Sequence, residues 1–401
     1  MTIVVTGYGM IAPKTPNIKE YLFNLQHGLC SLELVKGVGY QKESNIVGII
    51  KEGIEDLEKD RRLKRLPKVS KLGMKAAEEA LESADINLKQ KNVGLFFGIS
   101  LGASGEKLFQ ETIQHANNDN YKKVPVTFTH YANYHSITAS IAHYLQVKGV
   151  TKTITTGCTS SLEAIEDAML YLQSGKIDVA IVGGADSPLS KATTYAFSKT
   201  KVLPLNQSLD HGAVPFHGLS KGFAMSEAAG VVILERAEDA QNRGADIKGE
   251  IVDIVSNNDG VYIYSLDESG EQMISALRKV VKNRTPDYIN SQALGIQLND
   301  QIERKSSRLL FEHKIPYTSI KSMYGNPFGA IGILQVIASL LSIQHGFIPP
   351  TIRTDTKGYE EMNIVTKTKF QKINEVAITN HGYGGNNACA YIKRYSQIAT
   401  T

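Results

Sequence analysis

The chain has 401 residues, 42% hydrophobic and 21% charged, ordinary values that exclude a disordered chain, a fibrous repeat and a coiled coil. Lys and Arg number 44 against 40 Asp and Glu, a net charge of +4 that gives a nucleic-acid binder no electrostatic footing. At roughly 150 residues per domain, the length predicts two or three domains or one large α/β unit.

In chain order, Met1–Gly9 is a short apolar run without a basic flank. It reads as a first strand and not as a signal peptide. Ile3–Thr6, Val93–Phe97, Val179–Val182, Val231–Leu234, Tyr288–Asn290 and Val376–Thr379 predict strands buried on both faces. Between them, Ser70–Ala84 and Ser161–Leu172 carry apolar residues at helical spacing. Ala330–Ile343 predicts a buried helix too short to span a bilayer. This alternation predicts an α/β fold with mainly parallel sheets. The composition shift at Gln241–Gly244 is the best boundary, giving halves 1–244 and 245–401. Cys30, Cys158 and Cys389 are widely spaced, with no C-x-x-C pair. That predicts reduced thiols in a cytoplasmic chain, with neither a disulfide framework nor a zinc ribbon.

Two short motifs have bland explanations. Gly7-Tyr8-Gly9-Met10-Ile11-Ala12 fits G-x-G-x-x-A, but Pro13 follows and no clear helix continues, so a strand ending in a tight turn is preferred to a dinucleotide site. Gly98-Ile99-Ser100-Leu101-Gly102 fits the nucleophile-elbow pattern, but Ala103-Ser104-Gly105 reads as a loop where that pattern needs a helix.

The strongest local feature is Thr155–Ile165. A β-branched run meets Gly157, then Cys158, then a helix, and Ser160 with Glu163 has the spacing of a capping box. A thiol at a helix N-terminus faces unpaired N–H groups and the positive dipole end, which favours thiolate. Gly157 permits the sharp turn. The same residues also suit a small buried cysteine packed under a helix, and the local pattern does not choose between the two.

Taken together, the motifs resemble the elongating β-ketoacyl-acyl-carrier-protein synthases of the thiolase superfamily over nearly the whole chain. Val4-Val5-Thr6-Gly7-Tyr8-Gly9 is similar to the family's opening, and Thr156-Gly157-Cys158-Thr159-Ser160 to its nucleophile segment. Val182-Gly183-Gly184-Ala185, Pro215-Phe216 through Gly230, and Gly382-Tyr383-Gly384-Gly385-Asn386-Asn387 follow in family order. The resemblance implies a thiolase-like α/β fold of duplicated βαβαβαββ halves in five α-β-α-β-α layers, usually dimeric. It also implies a nucleophile at Cys158 and an oxyanion hole from the N–H groups of Cys158 and Tyr383, with Gly384 in the same loop. No resident cofactor is implied, because the acyl group arrives on the phosphopantetheine of a carrier protein or on CoA. The implied partners are an acyl carrier protein and a second synthase subunit, as homodimer or heterodimer, with no nucleic acid and no membrane span.

The departures are concentrated at one site. The family's two histidines align with Gln292 and Asn326, and a lysine aligns with Gln301. Two threonines that usually bind the pantetheine arm align with Leu294 and Ile296. Asp300 and Glu303 are retained. Carboxamides donate hydrogen bonds but do not exchange protons near neutral pH. General acid–base help is worth ~10²–10⁴-fold, so ordinary malonyl decarboxylation is expected to be crippled. His381, where the family often has Phe, is a candidate base for Cys158 or acid for a leaving thiol; the alternative is a loop histidine bonded to the backbone. His217 and Lys221, which replace family aspartates, read as surface or structural changes. Three readings follow: an acyltransferase working through Cys158 without decarboxylation, a non-catalytic subunit resembling a chain-length factor, and an ordinary elongating synthase. The first is preferred and the last ranks lowest.

Overall fold

The computed structural model describes residues 1–103, 106–131 and 133–396; Ser104 and Gly105 of the expected loop lie outside them. Ten strands join in one ladder. The first half supplies β1 (Ile3–Ile11), β2 (Val93–Gly98), β3 (Thr151–Ile154), β4 (Val179–Asp186) and β5 (Ala228–Arg236). The second supplies β6 (Gly249–Asn258), β7 (Tyr288–Asn290), β8 (Tyr317–Thr318), β9 (Glu375–His381) and β10 (Asn386–Lys393). Each half has the same spatial order: β1-β5-β4-β2-β3 in one, β6-β10-β9-β7-β8 in the other. In each the second strand from the join runs antiparallel to its neighbours and the outer pairs are parallel. The halves meet where Ile3–Val5 pairs antiparallel with Gly249–Ile251. A repeated strand order within one chain is the duplication that the resemblance implied.

Helices complete the layers. α1 (Lys68–Ala84) and α2 (His135–Leu145) cover the outer face of the first half. α3 (Ser160–Gln173) packs on strands of both halves, as does α6 (Ile331–His345), and the two touch each other in the middle layer. α4 (Glu271–Val281) and α5 (Gln297–Phe311) form the outer layer of the second half. α6 is buried on every side from Ile331 to Ile343 because it lies between two sheets. Phe328–His345 is long and apolar enough to cross a membrane, yet 89% of it is buried inside the protein, as a core helix is.

All six predicted strands form. The opening strand does not stop at Gly7-Tyr8-Gly9 but runs through to Ile11. A Cβ on Gly7 would lie 2.3 Å from the Ala80 carbonyl oxygen, and one on Gly9 2.3 Å from that of Ala76. These glycines therefore let β1 press directly onto α1. Their role is packing, and the expected tight turn is replaced by continuous strand.

Candidate functional site

The β-branched run that ends at Ile154 carries the chain into a single 3₁₀ turn, Gly157–Thr159, and α3 begins at Ser160. Gly157 has φ +76° and nothing near its missing Cβ, so backbone conformation, not space, requires glycine there. The expected capping box is absent. Ser160 Oγ accepts from the Thr156 N–H (2.9 Å) and donates to the Gly157 carbonyl (2.7 Å), while Glu163 accepts from Thr159 Oγ1 (2.6 Å). Thr159, not Ser160, precedes the helix and has helical dihedrals without a side-chain cap, so Ser160 is already inside the first turn.

Cys158 opens on a cleft of about 610 Å³, its mouth included. Seven of the eight residues singled out from sequence line it: Cys158, Gln292, Leu294, Ile296, Asn326, His381 and Tyr383. Gly384 does not; it lies one residue further along the glycine loop, with φ +90°. The loop is held against the nucleophile: Asn386 Nδ2 donates to the Thr156 carbonyl (3.1 Å). A Cβ on Gly382 would sit 3.4 Å from the Cys158 sulfur. Among the described residues, the Tyr383 N–H has no backbone acceptor, which leaves it free for an oxyanion, while the Cys158 N–H bonds its own sulfur.

Asn326 Nδ2 donates to Cys158 Sγ at 3.5 Å. Its Oδ1 accepts from the Phe328 N–H (3.2 Å), and this fixes which end of the amide faces the sulfur. Gln292 is fully buried, and neither its Nε2 nor its Oε1 has a partner among the described residues. Leaving such atoms unpaired costs about 1–3 kcal/mol each. Leu294 and Ile296 join Leu101, Phe197, Phe223 and Phe328 in an apolar wall.

His381 is buried, with both ring nitrogens engaged by α5. Glu303 Oε1 accepts from Nε2 (3.0 Å), and Asn299 Nδ2 donates to Nδ1 (3.2 Å), an arrangement satisfied by the neutral Nε2–H tautomer. The ring lines the cleft without bonding the sulfur. His217 is buried rather than superficial: Leu219 N–H donates to its Nδ1, and Asp355 stands 3.2 Å from Nε2.

The electrostatics reverse one expectation. Burial pushes the Cys158 thiol up from the ordinary 9.0, against the Asn326 N–H and the nearby Lys321 cation, both of which favour thiolate; Asp186 adds to the rise. Desolvation is the largest of these influences, although Cys158 is only partly buried and lines the cleft. Lys321 is itself fully buried and donates to the Ser291 carbonyl (2.9 Å); burial lowers it to about 7. Asp300 accepts the N–H groups of Phe216, Leu294 and Gly295, and so positions the chain that carries Leu294. Sequence reasoning missed Asn299 and Lys321 as members of this site. Both adjoin motif positions it had aligned, Asn299 beside the retained Asp300 and Lys321 at the head of the segment that ends in Asn326.

A duplicated α/β architecture with a cysteine at the head of its central helix and a glycine loop across it defines a condensing-enzyme fold. The family comparison agrees. Residues 1–240 match the β-ketoacyl synthase N-terminal domain and residues 248–355 its C-terminal domain. The chain belongs to the β-ketoacyl synthase family, whose members act in fatty-acid and polyketide biosynthesis. It is 26% identical to 3-oxoacyl-[acyl-carrier-protein] synthase 2 of Staphylococcus aureus, over 98% of both chains. Among solved structures, it resembles the ishigamide ketosynthase/chain length factor, with TM-score 0.87 and 22% identity, covering 98% of this chain and 99% of that one. It also resembles a type II polyketide acyl-carrier protein–ketosynthase complex, AntDE:AntF, with TM-score 0.86, 21% identity and the same coverage.

Proposed function

We propose that this protein is a thioester acyltransferase that works through Cys158 without malonyl decarboxylation. The observation that carries the reading is one arrangement: a sulfur facing Asn326 Nδ2 at 3.5 Å, beside the unpaired Tyr383 N–H of the glycine loop, in an apolar cleft. The sulfur attacks the donor's thioester carbonyl carbon. The oxygen gathers charge between the Cys158 and Tyr383 N–H groups, the donor C–S bond breaks, and the Cys158 proton ends on the departing thiol. Gln292 and Asn326 hold the thioester by hydrogen bonds but relay no proton. His381 braces the cleft wall through Asn299 and Glu303, and acts as a base only if it releases one of them. The acyl group arrives on a phosphopantetheine arm, of a carrier protein or of CoA, and the solved relative that holds an acyl-carrier protein supports the former.

Incubation with acyl thioesters should add one acyl mass to the protein, and Cys158→Ala should remove it. Absence of any adduct with CoA and carrier-bound donors alike contradicts the reading. A second reading, a chain-length-factor-like partner subunit, is favoured by the replacement of both proton-transfer positions by amides and by the likeness to a ketosynthase/chain length factor. It predicts co-purification with an active synthase and full product formation with Cys158→Ala.

A further inference from the structure

Three glycines bring backbone against backbone behind the nucleophile. A Cβ on Gly98 would lie 2.4 Å from Ser161 N, one on Gly184 2.7 Å from the Gly329 carbonyl oxygen, and one on Gly329 2.8 Å from Ser100 N. Into this junction the end of β4 places Asp186, fully buried. Its Oδ1 accepts the N–H groups of Leu101 (2.8 Å) and Gly102 (2.6 Å). Its Oδ2 accepts those of Ser100 (3.0 Å) and Gly329 (2.7 Å). Four donors on one carboxylate fill both oxygens with charge-assisted bonds. Ser100 and Leu101 form part of the cleft wall in the first half. From the second half, Phe328 and Asn326, one and three residues before Gly329, line the same cleft.

We propose that Asp186 is a positioning residue of the acyl site: it binds the Ser100–Gly102 loop of one half to the Asn326–Gly329 turn of the other, and so sets where the Asn326 amide stands relative to the Cys158 sulfur. An asparagine at this position keeps the shape but offers one acceptor oxygen, and its NH₂ confronts two N–H donors. One wall is then released. Asp186 also sets the charge around the thiol, opposed by Lys321, and the Asn326 amide is the only side chain bonded to the sulfur among the described residues.

The test compares wild type with Asp186→Asn in the full chain by two readouts. The first is the pH dependence of Cys158 alkylation by iodoacetamide; the second is the rate of Cys158 acylation by an acyl-CoA at saturating donor. The alkylation readout is independent of the acyltransferase reading and the acylation readout rests on it, so failure of that reading leaves Asp186 still testable. The expected result is an alkylation profile displaced to lower pH and, where wild type acylates, a rate at least tenfold lower with half-saturation within threefold. Gly329→Ala crowds the same junction without changing charge; by moving the Asn326 amide off the sulfur it should displace the alkylation profile to higher pH and slow acylation with half-saturation kept, and it also serves if Asp186→Asn does not fold. A folded Asp186→Asn with an unchanged profile, or a Gly329→Ala protein with wild-type alkylation and acylation rates, overturns the proposal.

Discussion

At Cys158 two opposing influences meet, and burial wins. The sulfur has a donor in Asn326, and Lys321, lowered to about 7, carries charge beside it only at lower pH, so burial raises its ionisation above the ordinary 9.0. Alkylation of Cys158 by iodoacetamide should therefore still be accelerating above pH 9. A plateau reached by pH 8 contradicts this. The missing imidazoles lead to a second expectation. The double variant Gln292→His with Asn326→His should gain malonyl-thioester decarboxylation by about two orders of magnitude or more, the lower end of general acid–base assistance. CO₂ release measured side by side checks it, and equal rates in variant and wild type refute the assignment. At this scale the aligned positions were legible because motif order fixed them. Asp186 was not: its four N–H partners lie 84 to 143 residues away, and nothing in a linear pattern marks a carboxylate that bonds only backbone.

At the scale of elements, the strands and the central helices were readable from β-branched runs and helical spacing. The glycine motifs were not, because a glycine's purpose depends on what crosses it. Gly7 and Gly9 accommodate α1, and Gly98 accommodates the first turn of α3. The added methyl of Gly98→Ala would sit 2.4 Å from backbone nitrogen, which cannot swing aside. It should cost about 3 kcal/mol of stability, the upper range for overpacking, measurable by urea unfolding. A loss under 1 kcal/mol would mean that β2 and α3 approach less closely than described. The capping-box reading failed for a related reason. Ser160 and Glu163 have the right spacing, but the preceding 3₁₀ turn draws Ser160 back to Thr156 and Gly157.

For the whole molecule, two copies of one strand order enclose α3 and α6 and bring a first-half thiol to second-half amides. The join also buries charge. Lys321, lowered from 10.5 to about 7, is charged in the unfolded chain and neutral in the folded one between those values. The unfolded state then binds the extra proton, so this group's contribution to stability rises as pH climbs from about 7 toward 10.5. Asp186 and Asp300, each raised from 3.8 to about 7, act in the opposite sense and below pH 7, where stability falls as pH rises. Lys321→Met should be more stable than wild type near pH 7, with the difference shrinking toward pH 10. A constant difference over that range refutes the buried neutral lysine.

The most direct measurement follows both halves of the proposed chemistry in one sample. The protein is mixed with an acyl-carrier thioester and a malonyl-carrier thioester, and intact mass and CO₂ are recorded together. An acyl adduct that maps to Cys158, with no release of CO₂ above the rate without protein, is expected. An adduct discharged in step with CO₂ evolution, or no adduct at all, contradicts the proposed chemistry.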